Sequence, residues 1–459
     1  MNTTAESRSR SSTLGTRSRR NTHDVAIVGA GMVGATLALK LARDGFDVAV
    51  IEPRPPSPWR AEDDVDLRVV ALAPSSVRLL DDVGAWPAIA AARACAYRRM
   101  RVWDALAPGS LGFDSADDGT DTLGWIVENK LIQDHLWQAL DAAGIVLHCP
   151  ARVVATRIDG DRRSLELEDG TAVAARLVVA ADGGESPLRE QVGIVTRDRD
   201  YGQRAIVAHV VTEHAHESTA WQRFLPGATI AFLPLGQDSS RPVARSAPDA
   251  FARPMAEAKD SGQARPQDHD LRAPSADMHD AGARAGATRC SIVWSVPNRE
   301  AERLLALDDA AFCAELGAAF DFRLGRIVST TPRAAFPLRL RLAERYLAPN
   351  FALVGDAAHV VHPLAGQGVN LGLRDSAELA DVLAAARAAG RDFAAAASLR
   401  RYERRRRSDN VLSANAFDAI QRVFGSEAMP VAALRGAGLA LVDAIGPLKR
   451  AFARHAAGR

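Results

Sequence analysis

Residues 24–55 read DVAIVGAGMVGATLALKLARDGFDVAVIEPRP, and no other stretch restricts the fold as tightly. Val25 to Val28 and Val48 to Ile51 are apolar runs without alternation, the pattern of strands buried on both faces of a parallel sheet. Gly29-x-Gly31-x-x-Gly34 follows the first run at once, Ala35 to Arg43 is helical in pattern, and the second run ends in Glu52. This is a complete βαβ unit. Gly29 permits a tight turn, Gly31 lets a pyrophosphate approach the backbone, and Gly34 allows close helix packing. Glu52, 18 residues beyond the last glycine, suits the hydroxyls of an adenosine ribose and repels a 2′-phosphate.

A second ligand signal lies at 351–375, FALVGDAAHVVHPLAGQGVNLGLRD. A strand-like run from Phe351 to Val354 stops at Gly355-Asp356, and a Pro/Gly-rich turn leads into a helix beginning near Gln367. A helix N-terminus presents unpaired N–H groups and the positive end of the macrodipole, which favours an anionic or electron-rich ligand. Gly366 and Gly368 leave room for a flat ring. Asp356 at the strand end can accept hydrogen bonds from a polyol such as a ribityl chain. An ordinary turn before a surface helix is the alternative.

Three further positions have a ligand-binding and a structural reading. Residues 176–194, RLVVAADGGESPLREQVGI, give a buried strand, then Asp182-Gly183, then a helix start at Ser186-Pro187. Asp182 either orients a phosphate-bridging water or a ribityl chain, or is a turn residue. Arg68, in the run DLRVVALAPSS, is either a salt-bridged structural residue or a cofactor contact. Ser75 or Ser76 is expected to cap the following helix. Gln133, on an amphipathic helix within 125–144, either reaches an adenosine or pyrophosphate or is an exposed glutamine.

The balance of 57 basic and 56 acidic residues argues against a nucleic-acid partner bound by bulk charge. No metal site is expected: Cys95, Cys149, Cys290 and Cys313 are scattered, and His214-x-His216 has no third ligand nearby. The cysteines read as buried thiols in a reducing compartment. No run of 18 apolar residues would span a membrane.

The organisation reads as a disordered tail, 1–22, then a cofactor domain in three parts, 23–96, 125–195 and 341–400. A second sheet is built from 97–124 and 196–340, carrying a disordered insertion at 237–288. Phe336-Pro337-Leu338 is expected to cross between the domains, and 303–320 to form one helix. Helices occupy 401–459. Their basic run, Arg400-Arg401 and Arg404 to Arg407, reads as a solvated face ahead of a partner site. The stripe Leu434, Leu441, Ile445, Leu448 and Phe452 either covers its own domain or lies on a membrane surface.

GAGMVG with Glu52, ADGGESPLRE and VGDAAHVVHPLAGQGVN stand in the order of the single-component FAD-dependent aromatic hydroxylases, the class that includes p-hydroxybenzoate hydroxylase. With DLRVVALAPSS and Tyr402-x-x-x-Arg406, the chain most resembles the ubiquinone-biosynthesis hydroxylases of the UbiH/UbiF/VisC type over 23–450. The resemblance implies an α/β fold: a Rossmann-like FAD-binding domain, a second, mostly antiparallel β-sheet substrate domain, and a C-terminal helical segment. The implied cofactor-binding residues are Gly29, Gly31, Met32, Val33, Gly34, Glu52, Arg68, Gln133, Asp182, Gly355, Asp356, Gly368, Val369 and Asn370. Gly368, Val369 and Asn370 would face the pyrimidine edge of the isoalloxazine, and the family arginine near the flavin favours a cofactor role for Arg68.

The implied activity is hydroxylation of a polyprenylated phenol by a flavoprotein monooxygenase, with NAD(P)H and O2 as co-substrates and a flavin hydroperoxide as oxidant. No catalytic acid, base or nucleophile of the protein is required. A hydroxylase of a soluble aromatic and a non-catalytic FAD-binding subunit are the alternatives. The implied location is cytoplasmic, with a peripheral place at the inner membrane surface, or in a ubiquinone-biosynthesis complex through the C-terminal helices, left open.

Overall fold

The computed structural model describes residues 22–107, 109–236, 288–361 and 368–425. Apart from Thr22 and Thr288, both in strands, the expected tail and insertion lie outside the described residues, as do Gly366, Gln367 and the segment 430–457.

The first domain is built on a sheet ordered Leu347–Ala348, Phe351–Leu353, Ala172–Ala180, Thr22–Val28, Val48–Ile51, Val146–His148. The pairings from Phe351–Leu353 through to Val146–His148 are parallel. A meander, Val153–Asp159 and Arg162–Leu167, adds antiparallel to Ala172–Ala180 and turns through Asp169 and Gly170. Helix Met32–Arg43 lies between Asn129–Ala142 and Gly368–Ala388, and buries Leu37, Leu39 and Leu41 among them. Each such leucine contributes about 1.5–3 kcal/mol relative to exposure. Helix Ala396–Gly425 then packs on Gly368–Ala388.

The second domain is a sheet that roofs the first. Its order is His359–Val360, Ala334–Ala343, Thr196–Thr212, Thr288–Pro297, Ala228–Pro234, Thr219–Leu225, Arg99–Asp104, Ser110–Asp114. All these pairings are antiparallel except that of Thr219–Leu225 with Arg99–Asp104. Its outer face, with Ile206, Phe232, Ile292 and Trp294, is covered by helices Asn298–Ala306 and Asp309–Ala319. Its inner face meets the first domain where Ala220 and Leu233 pack with Ala71 and Ile126.

Three local expectations are corrected. The stretch 303–320 is divided between two helices, because the Asp308 side chain accepts the Ala311 N–H at 2.7 Å and caps the second. Phe336-Pro337-Leu338 lies within the roof strand Ala334–Ala343 and not in a crossover. The register shifts between Asp200 and Arg204 opposite Pro337, which has no N–H to offer the ladder. The helix after DLRVVALAPSS runs Pro74–Asp82 with Ala73 as its N-cap, so neither Ser75 nor Ser76 caps it. Among the described residues, no helix is long and apolar enough to cross a membrane.

Candidate functional site

His148, Ile51, Val28, Ala180 and Leu353 form one row across five parallel strands. The residues that leave this row at the carboxyl edge carry the motifs: Glu52, Gly29 to Gly34, Asp182, and Gly355-Asp356. Ligands of open α/β sheets bind outside this edge, where the connections diverge.

The glycine turn is shaped by backbone contacts. Gly29 has φ +102°, and a Cβ there would meet the Ala181 carbonyl oxygen at 2.3 Å. A Cβ on Gly34 would meet the Gly29 carbonyl oxygen at 2.0 Å. Gly31, the N-cap of helix Met32–Arg43, differs: a Cβ there has no atom of the described residues within 4 Å. The space beside it is left open at the positive end of the helix. Glu52 stands over the same turn, with Oε2 accepting the Ala30 N–H at 2.7 Å and Oε1 accepting the Arg54 N–H at 3.3 Å.

Two carboxylates border this space. Asp182 Oδ2 accepts the Leu188 N–H at 3.5 Å, while Oδ1 is buried without a partner among the described residues. Burial pushes this carboxyl above the usual range, partly offset by Ser186 and Leu188. Asp356 opens into the cleft instead of packing into the core. The surrounding protein walls still desolvate it and raise its pKa, against the pull of His359 and Arg68. Arg68 is thus brought to the Asp356 side of the cleft; it is exposed, and its guanidinium lies 5.7 Å from the Phe336 ring of the roof. Gln133 is half-buried on helix Asn129–Ala142 and makes no side-chain hydrogen bond among the described residues.

Helix Gly368–Ala388 enters the same junction. Gly372 lets it approach: a Cβ there would meet Val33 Cγ2 at 2.6 Å and Gly355 Cα at 3.2 Å. The Ser376 hydroxyl donates to the Val33 carbonyl at 3.0 Å. The Val33 side chain is therefore committed to packing, and its backbone, like that of Met32 beside it, is what faces the turn. Asn370 departs from the expected arrangement. Its Oδ1 accepts from the Ala73 N–H at 2.8 Å and the Ser76 hydroxyl at 2.7 Å, and its Nδ2 donates to the Ala71 carbonyl at 2.8 Å. The amide pins the strand Val69–Leu72 to this helix, leaving only the Asn370 backbone for a ligand. Gly368 and Val369 form the first helical positions, whose N–H groups lack intrahelical acceptors.

The sequence reading missed the support behind Asp356. Asp375 is fully buried, and its Oδ2 accepts the Gly355 N–H at 3.0 Å and meets His359 Nε2 at 2.6 Å. Its Oδ1 accepts from Arg406 Nε at 2.8 Å and Asn410 Nδ2 at 3.1 Å. Asn410 also donates to the Tyr346 hydroxyl at 3.2 Å, and the Tyr402 hydroxyl donates to the Leu353 carbonyl at 2.6 Å. Arg406 is therefore an internal partner of Asp375, while Arg400, Arg401, Arg404, Arg405 and Arg407 are exposed. Asp375 lies among the apolar positions Leu371, Leu379 and Leu383 of the Gly368–Ala388 helix, and with an arginine one helix later it was the available signal.

The open space at Gly31, the unpartnered Asp182 oxygen and the cleft-facing Asp356 form a cradle for a dinucleotide with a polyol arm. The family model described as FAD binding domain matches residues 22–411. The chain belongs to the FAD-binding domain family. FAD is its cofactor, and the open space beside Gly31 with carboxylates at the neighbouring strand ends is compatible with such a group.

Within this family the chain is 36% identical over 438 residues to 3-demethoxyubiquinol 3-hydroxylase of Escherichia coli K12, covering 95% of this chain and 98% of that protein. It is 37% identical to the ubiquinone hydroxylase UbiL of Rhodospirillum rubrum, covering 95% and 89%. The human mitochondrial ubiquinone biosynthesis monooxygenase COQ6 is 32% identical, covering 93% and 91%. Among solved structures, PqsL of P. aeruginosa superposes with a TM-score of 0.66 at 21% identity, covering 91% of this chain and 99% of that one. That likeness shows the fold: an FAD-binding α/β domain roofed by a mostly antiparallel sheet.

Proposed function

We propose that this chain is a flavoprotein monooxygenase that hydroxylates the aromatic ring of a polyprenylated phenol in ubiquinone biosynthesis, with NAD(P)H and O2 as co-substrates. The supporting observation is the near full-length similarity to ubiquinone-pathway hydroxylases from two bacteria and from human mitochondria. FAD, when bound, supplies the redox chemistry that links the nicotinamide to oxygen.

The protein's own part is binding, orientation and exclusion of water. Gly29, Gly31 and Gly34, with the backbone of Met32 and Val33, form the proposed pyrophosphate seat. Glu52 is proposed for the adenosine ribose, Gln133 for the adenosine side, Asp182 for the pyrophosphate and nicotinamide route, and Gly355-Asp356 for the ribityl chain. The N–H groups of Gly368, Val369 and Asn370 offer a positive helix end to the pyrimidine edge, where negative charge builds on reduction. Arg68 adds a cation on the same side. The roof sheet closes the cleft from above, and closure limits the access of water to the oxidant. Among the described residues no group is needed as a nucleophile. The exposed arginines of helix Ala396–Gly425 are the proposed contact to a membrane surface or to other proteins of the pathway.

The test is a quinone-lipid analysis of a strain lacking the chain, complemented with the wild type or with Asp356→Ala. Accumulation of one under-hydroxylated prenylphenol, cleared only by the wild type, is the expected result. An unchanged quinone pool would rule out the pathway and move the substrate to soluble aromatics.

A further inference from the structure

The inner face of the roof carries a row of half-buried apolar residues that ends at a polar side chain and leaves a slot-like strip of accessible surface. Val207 pairs with Val293, Val293 with Ala231, and Ala231 with Gln222, so the four form one row across four strands. Val207, Val293 and Ala231 are only half-buried although they lie in the middle of the sheet. The flanking rows on the same face, from His209 to Ala220 and from Ala205 to Phe224, are buried. Accessible surface therefore remains along this row, about 14 Å from Val207 to Gln222 at ordinary strand spacing, while Val293 also touches the Ala71–Ile126 cluster.

The side on which Gln222 lies is fixed by its neighbours. Trp221 and Leu225 pack toward the helix-covered face, and Arg223 donates to the Ala319 carbonyl at 2.9 Å on that side. Ala220 and Phe224 face inward. Gln222 must therefore point inward with them. It is 6% exposed, and its amide makes no hydrogen bond among the described residues. The side chain is mostly buried while its amide has no protein partner among the described residues, so a ligand oxygen at this end of the row would supply one. At the opposite end, Ala334 pairs with Val207 and Phe336 with Ala205, and Phe336 lies beside Arg68 on the cofactor side.

We propose that Gln222 determines specificity by hydrogen-bonding an oxygen substituent of the substrate ring, with the small and β-branched row from Ala231 to Val207 forming the surface the ring lies against. This rests on the prenylphenol reading above. A hydrocarbon tail gives an amide no partner, so the interaction selects the oxygenated ring and not the isoprenoid.

The experiment uses the holoenzyme and two probes, a geranyl-substituted phenol and the matching geranylbenzene, with binding read from the absorbance change of bound FAD. The wild type should bind the phenol about tenfold more tightly than the arene. Gln222→Leu should bind both alike, at the wild-type affinity for the arene. A parallel Gln222→Met variant, matched in length, gives the same reading if the leucine variant loses FAD. Retained preference for the phenol in a variant that holds FAD overturns the proposal while leaving the function intact. Failure of the wild type to respond to either probe overturns the prenylphenol reading and this inference together.

Discussion

The Gly355 N–H donates to Asp375 at 3.0 Å from directly behind Asp356, so the turn that presents one carboxylate to the cleft is held by another in the core. Asp375 also neutralises Arg406 and meets His359, all with little or no exposure. Removing Asp375 breaks a buried ion pair and leaves Arg406 with Asp409 as its remaining carboxylate partner, at a cost of about 3–5 kcal/mol. Asp375→Ala should therefore lower the thermal midpoint sharply and abolish FAD retention, as measured by calorimetry and by flavin content after gel filtration. A variant with unchanged melting would show that the network is not coupled to the fold.

The same residue sets a pH dependence. Burial alone would raise the Asp375 pKa, but His359 and Arg406 outweigh it and hold the carboxyl below its ordinary value of 3.8. Its contribution to stability is then complete above that value and is lost as the pH falls through the depressed one. Urea midpoints measured from pH 6 downward should drop more steeply in the wild type than in Asp375→Asn.

Asp356 has the opposite sign. Its pKa is raised in the folded apoprotein, so stability is lost as the pH rises from 3.8 through the folded value. Asp356→Asn should make the apoprotein more stable at pH 7. It should also weaken FAD by about 1.5–3 kcal/mol through lost charge-assisted hydrogen bonds, roughly ten- to hundredfold in Kd. Apoprotein melting and FAD fluorescence titration would show whether the two effects separate.

The glycines of the turn separate in the same way. Gly31→Ala places its methyl group in open space, so apoprotein stability should stay within about 0.5 kcal/mol of the wild type. Its FAD affinity should fall by about 1–3 kcal/mol if the pyrophosphate occupies that space. Gly34→Ala, aimed at the Gly29 carbonyl, should instead cost about 3 kcal/mol of stability before any ligand is added. Melting both apoproteins and titrating each with FAD distinguishes the roles.

Asn370→Ala removes three hydrogen bonds between the Gly368–Ala388 helix and the segment from Ala71 to Ser76. A loss of about 3 kcal/mol is expected by denaturant unfolding. Ser76→Ala, which removes one of the three, should cost about 1 kcal/mol.

The βαβ unit was legible because strand, glycine turn and helix are contiguous, and each element has a local signal in Val25 to Glu52. Asp182 and Asp356 were legible as strand-end acids. The side-chain partners of Asn370 were not legible, because a motif fixes a residue's position along a helix but not the direction of its side chain, and the partner segment lies almost three hundred positions away in the chain. Asp375, Arg406 and Asn410 were missed for the same reason, since a buried charge network has no local pattern. Val207, Val293, Ala231 and Gln222 form a row only once sheet register is known.

The row that joins Val28, Ala180 and Leu353 has a consequence for biosynthesis. Thr22–Val28 emerges from the ribosome before the other strands of its sheet, yet one of its two neighbours and the Asp356 turn are encoded far downstream. Pairings of such long range form late and leave strand edges unprotected while they wait. The nascent chain therefore cannot complete its cofactor cradle until the strand Phe351–Leu353 has left the exit tunnel, which makes FAD capture a late event in synthesis and the early fragment a client for chaperones.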